Sequence, residues 1–216
     1  MNGKRTETTK MVFIFGSVLS IAIISASTAF AECRKEPSAQ CKGAKLGGID
    51  WRGAKLDGGD FRNADLEQAN FAGASLKGAM LIGSNLQQAR LEQSDLSGAN
   101  LEGADLRWAN LENAILVKAR FTNAKMAKSD LENADLSQAV LTGADLTRAD
   151  LVSADLQQAD LQGVKLDGAY MAYANLKQAN LTGASINRTR FIGARLKDAI
   201  WINGQVCKAP SIGICK

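Results

Sequence analysis

Histidine is missing from this 216-residue chain altogether, and proline occurs only twice. Without histidine, the usual general base, zinc ligand and switch at physiological pH are excluded. Catalysis would have to rest on an acid, a lysine or a cysteine, and the sequence holds no nucleophile–base pair or phosphate-binding loop. Charge of one sign is lacking too, with a formal net charge of +4. Residues 1–31 hold Lys4, Arg5 and Lys10 against Glu7, so the remainder carries 23 basic and 21 acidic residues. A chain so near neutrality has no global attraction to DNA, RNA or an anionic membrane. We therefore expect no enzymatic activity, no cofactor and no nucleic-acid partner.

What is present begins with an apolar run. The basic stretch MNGKRTETTK precedes MVFIFGSVLSIAII, and AFA closes the segment at Ala31. This order of n-region, h-region and A-x-A site predicts a signal peptide over residues 1–31, cleaved after Ala31. The alternative is a retained anchor, since no charge occurs from Met11 to Ala31 and that length spans a bilayer. Glu32 precedes Cys33, which does not suit lipidation. Cleavage would leave a periplasmic or secreted protein with no membrane contact.

Export makes the four cysteines disulfide formers. Three pairings exist. Cys33 and Cys41 lie eight residues apart, as do Cys207 and Cys215, so local pairing is the simplest. A redox role is the rival reading, but neither pair has C-x-x-C spacing.

Between the cysteine pairs the chain counts in fives. All 33 positions ending in 1 or 6, from Leu46 to Val206, are apolar, and most are leucine. Two positions earlier sits a small residue, usually alanine, with Ile49 and Val164 as bulkier exceptions. In an α-helix, five steps of about 100° would wind the leucines around every side. In a flat strand, an odd period would throw them to alternate faces. A chain that bends by about 90° in every repeat buries them all. Four repeats then close a square coil of 20 residues, stacked at about 4.8 Å, for a rod of roughly eight coils and 40 Å. Glycine or a polar residue two after each leucine serves the bend.

ANLEGADLRWANLENA and GADLTRADLVSADLQQADLQG resemble the pentapeptide-repeat family over residues 44–206. The resemblance implies an all-β fold, a right-handed quadrilateral β-helix. With the export signal and the cysteine pairs, the chain divides into a signal peptide (1–31), an N-terminal disulfide cap (32–43), the solenoid (44–206) and a C-terminal disulfide cap (207–216). The tail WINGQVCKAPSIGICK looks like a terminal module of some secreted members. Trp51 and Trp201 are read as apolar plugs for the first and last coils. Some members resemble B-form DNA and act on DNA gyrase. The near-neutral charge and the export signal depart from that pattern.

The residue before each leucine points outward. Asp130 is expected above Asp150 with Glu132 beside them, a weak Ca²⁺ candidate whose alternative is a solvated face or aspartates bonding the local turn. From Ile186 onward six basic residues oppose only Asp198. Met80, Ile82 and Val140 on one face, and Tyr170, Tyr173 and Ile192 on another, are apolar where polar residues are the rule. They form the expected surface for an unidentified protein partner. A homodimer by end-to-end or side contact is the further possibility.

Overall fold

The structure is a computed structural model and describes residues 33–216. The expected signal segment, 1–31, lies outside the described residues. Those residues contain no helix. They form a right-handed quadrilateral β-helix in which single-residue parallel bridges recur every 20 residues, from Gln40↔Asp60 to Asn180↔Ile200.

The repeat Asp135–Ala139 shows why five residues make one side. The Leu136 N–H donates up the rod to the Asp155 carbonyl at 2.7 Å, and the Gln138 N–H to that of Gln157 at 2.9 Å. The Asp135 N–H donates down to the Ala114 carbonyl at 2.9 Å. The Ala139 N–H closes the corner on the Leu136 carbonyl at 3.0 Å. That turn needs a left-handed residue at its third position. Every fifth residue from Ser38 to Asp198 accordingly has positive φ, between 55° and 71°. Many are not glycine, so the corner costs about 1–2 kcal/mol at those sites. One fully buried leucine returns about 1.5–3 kcal/mol, before its alanine and backbone bonds are counted. Burial therefore wins in each repeat.

Leucine and alanine both point inward. Leu56 through Leu181, and nearly every alanine between them, are inaccessible to solvent. Where serine replaces alanine, its hydroxyl bonds the carbonyl three residues back: Ser84 to Leu81 at 2.8 Å, Ser94 to Leu91 at 2.6 Å and Ser129 to Met126 at 2.8 Å. A buried hydroxyl is tolerated because it is satisfied. The first coils are packed by aromatics. Trp51, Phe61 and Phe71 meet edge to face at 6.1–6.5 Å between centroids. At the other end Phe191 tilts against Trp201 at 5.4 Å.

Both ends differ from the expected register. At the N-terminus the cadence begins at Ser38, and Ala39 and Cys41 occupy the inward alanine and leucine positions at 3% and 1% exposure. The segment assigned to a separate cap is thus partly the first side of the solenoid, and Cys41 ties it to Cys33. At the C-terminus the cadence puts the next left-handed residue at Asn203. Gly204 takes it instead, with φ 80°. After this one-residue slip the chain turns back. Val206, expected inward, is 52% exposed and pairs antiparallel with Ile200. Ile212 pairs antiparallel with Arg195, and the Cys207–Cys215 bond closes the returning tail.

Gly59 occupies an alanine position for a steric reason. A Cβ there would lie 2.5 Å from Phe61 Cε2 and 3.0 Å from the Leu56 carbonyl. Gly59→Ala should therefore destabilise the protein by about 1–3 kcal/mol, and adding Phe61→Leu should recover part of the loss. Denaturant melts of the single and double variants check this; equal stability of Gly59→Ala and the parent would refute it. Reducing both disulfides should lower the unfolding temperature, at about 2–3 kcal/mol per bridge, while the circular dichroism of the folded rod is unchanged. An identical melting curve with reductant would contradict the end-clamp role.

Candidate interaction surface

Four of the five N–H groups in each repeat within the stack bond to backbone. The remaining donor belongs to the residue after the leucine, and where aspartate or asparagine precedes the leucine its side chain usually receives it. Asp135 Oδ1 accepts from the Ser137 N–H at 2.9 Å. Asp130, Asp145, Asp150, Asp155 and Asp160 do the same for Glu132, Thr147, Val152, Gln157 and Gln162 at 2.9–3.1 Å. Asparagine serves equally, as Asn100 and Asn110 show. Where serine stands before the leucine, an aspartate one coil below takes over. Asp57 accepts from the Lys77 N–H at 3.0 Å beneath Ser75, and Asp167 from the Asn187 N–H at 2.8 Å beneath Ser185. These bonds, with that from the Ser185 hydroxyl foremost, hold the Asp167 carboxyl below its ordinary range.

The candidate Ca²⁺ residues fit this scheme. Asp130 and Asp150 are bridge partners, and each spends an oxygen on its own turn. Glu132 Oε1 reaches the Asn133 amide at 3.5 Å. Among the described residues no group of three or more acidic or cysteine side chains is arranged to hold a metal ion.

The apolar positions separate into two kinds. Met80 and Ile82 do not meet Val140, because Asn100 and Arg120 stand between Met80 and Val140 in the ladder. Tyr173 and Ile192 do come together, whereas Tyr170 pairs with Arg190 on the ladder. The Tyr173 N–H donates to the Ile192 carbonyl at 2.8 Å, and its ring covers Gly193, where a Cβ would lie 2.5 Å from Cδ1. Arg190 stacks on the Tyr170 ring at 4.8 Å. Tyr173 is 63% exposed and Ile192 66%. Trp108 was not anticipated from the sequence. Its half-exposed ring is flanked by Arg107 at 5.7 Å and Lys128 at 5.4 Å. Both Trp108 and Tyr173 sit at left-handed corners, φ 58° and 61°, which bulky residues rarely adopt. Sorting residues by corner position would have revealed Trp108, since glycine, asparagine and glutamine fill most corners.

Electrostatics divide the rod along its length. Arg52, Arg62, Arg90 and Arg107 bond carboxylates two residues away at 2.6–3.0 Å. Among the described residues Arg148, Arg188, Arg190 and Arg195 have no such partner. A shallow notch opens at Gly168, between Arg148 and Arg188, with Asp167 at its side.

Comparison with known proteins now places the chain. A family profile described as pentapeptide repeats matches in eight copies, in segments running from residue 38 to residue 198. The chain belongs to the pentapeptide-repeat family. Among solved pentapeptide-repeat proteins it is 34% identical to HetL, involved in heterocyst differentiation regulation, from the cyanobacterium Nostoc sp. strain PCC 7120. The match covers 79% of each chain with a TM-score of 0.48. Full-length QnrB1, a plasmid-mediated fluoroquinolone resistance protein, is 19% identical over 79% of this chain and 87% of its own, with a TM-score of 0.41. A pentapeptide repeat protein of the Arabidopsis thaliana thylakoid lumen is 24% identical over 57% of this chain and 68% of its own, at 0.28. A search of curated proteins finds no match.

Asp60 is one of the carboxylates through which the stability of this pentapeptide-repeat rod depends on pH. It is 5% exposed and takes a two-pronged bond from Arg62, at 2.8 Å and 2.6 Å. That bond holds its carboxyl below the usual carboxylate range. A carboxyl depressed in the folded state stabilises above its unfolded value, near pH 4, and the gain is lost as pH falls through the lower folded value. Asp60→Asn should therefore be less stable at neutral pH and flatten the loss of stability in acid. Thermal melts from neutral pH to about pH 2 check this; parallel curves for the two proteins would refute it.

Proposed function

We propose that this chain is an exported, non-catalytic scaffold whose rod presents a surface to another protein. One observation carries the reading. Nearly every large apolar side chain of the repeats is inside, yet Tyr173 and Ile192 are outside and adjacent, with Tyr173 on a strained corner and Tyr170 exposed on the same coil. An exposed apolar cluster held against local cost is a mark of interaction surfaces.

Export is supported by the two end disulfides, which persist in an oxidising compartment. It is supported also by the n-region, h-region and A-x-A order of residues 1–31. A gyrase-directed DNA mimic is the competing function within the family. It would need a rod of strongly negative charge in the cytoplasm, whereas this one carries a basic C-terminal end.

The test is fractionation of the tagged protein with alkylation of free thiols. The reading expects a periplasmic or secreted chain lacking residues 1–31, with all four cysteines protected. A full-length cytoplasmic chain with free thiols would overturn it.

A further inference from the structure

The returning tail covers only half of the C-terminal end. Ala194, Leu196 and Ala199 are fully buried beneath it. On the other half, Ile186 and Thr189 are partly exposed. The ladder stops there. One coil earlier, the N–H groups of Leu166, Gly168 and Met171 donate to the carbonyls of Ser185, Asn187 and Arg190 at 2.7–2.8 Å. The carbonyls of Val164 and Ala169 accept from Ser185 and Arg190 at 2.9 and 3.0 Å. The equivalent groups on the last coil make no hydrogen bond among the described residues. They are the N–H groups of Ile186, Arg188 and Phe191 and the carbonyls of Ala184 and Thr189. The result is an open edge in the register of the solenoid, ready to pair with one more extended strand.

Charge selects the occupant. Arg188 and Arg190 flank this edge without a carboxylate partner, and Arg195, Lys197, Lys208 and Lys216 lie on the same end against Asp198 alone. A second copy docking by the same end would set these cations against one another. Its opposite end offers Lys35, Lys42 and Lys45 against Glu36 and Asp50, which is no better match. We infer that the edge from Ala184 to Arg190 binds an extended, acidic segment of a partner protein. Its main chain continues the ladder, and its carboxylates reach Arg188 and Arg190. This rests on the scaffold reading and gives that scaffold a class of partner.

The probe is a fluorescent, end-blocked octapeptide of alternating valine and aspartate, titrated into the purified protein. It should bind and slow hydrogen exchange at the amides of Ile186 and Arg188. The Arg188→Glu, Arg190→Glu double variant, with unchanged circular dichroism, should bind it at least tenfold more weakly. A peptide with lysine for aspartate, and one N-methylated at alternate residues, should not bind. Absence of binding would overturn the inference. So would equal binding of the N-methylated peptide, which would mean charge alone. A dimer that protects the same amides without peptide would overturn it too, by giving the edge to a second copy. None of these results touches the scaffold reading, which stands or falls on fractionation.

Discussion

A corner every five residues is the constraint on which this structure rests. The left-handed residue two after each leucine turns the chain, and the turn sends leucine and alanine inward together. Without it the period of five has no single face to bury. The corner is conformationally costly wherever it is not glycine, as at Lys118, Lys128 and Arg148. Leucine burial outweighs that cost in each repeat, and 20-residue stacking links neighbouring coils, so stability accumulates along the rod. The same arithmetic explains the ends. Once Gly204 takes the place of Asn203, the inward register is lost and the chain must fold back.

The recurrent Ala-Asp-Leu motif follows from the same backbone. Within the stack four N–H groups per repeat are absorbed by ladder and corner, and an aspartate oxygen, where present, receives the fifth. Asp130, Asp135, Asp145, Asp150, Asp155 and Asp160 are therefore turn acceptors on the outer face. Function must then come from what departs from the pattern. The departures are the aromatic residues at corners, the uncompensated arginines of the last coils, and the half-covered C-terminal end. They arise from three different rules being broken: corner choice, ion pairing and strand pairing.

Most of the fold was legible because the period is unbroken. Leu86, Leu106 and Met126, spaced by 20, had only one way to be buried together. The local pairing of Cys207 with Cys215 followed from spacing. Three things were not legible. The slip at Gly204 depends on one backbone conformation that no side-chain pattern reports. Cys41 was read as cap chemistry, while its burial in a leucine position depends on where the ladder starts. Met80 and Val140 share a face, yet whether residues on a face touch depends on the rungs between them, here Asn100 and Arg120. The open edge at Ile186 was invisible because it is set by how far the tail reaches, which composition does not encode.

The central claim is that 20 residues form one closed coil and that five-residue register holds the coils together. Removing residues 101–120 joins Asn100 to Phe121 and deletes one whole coil in register. Removing residues 101–118 leaves two residues out of register at the same place. The decisive measurement is thermal unfolding of these two proteins beside the parent. The first should melt cooperatively with the circular dichroism of the parent, and the second at a clearly lower temperature over a broader range. Equal melting of the two shortened proteins would contradict the account.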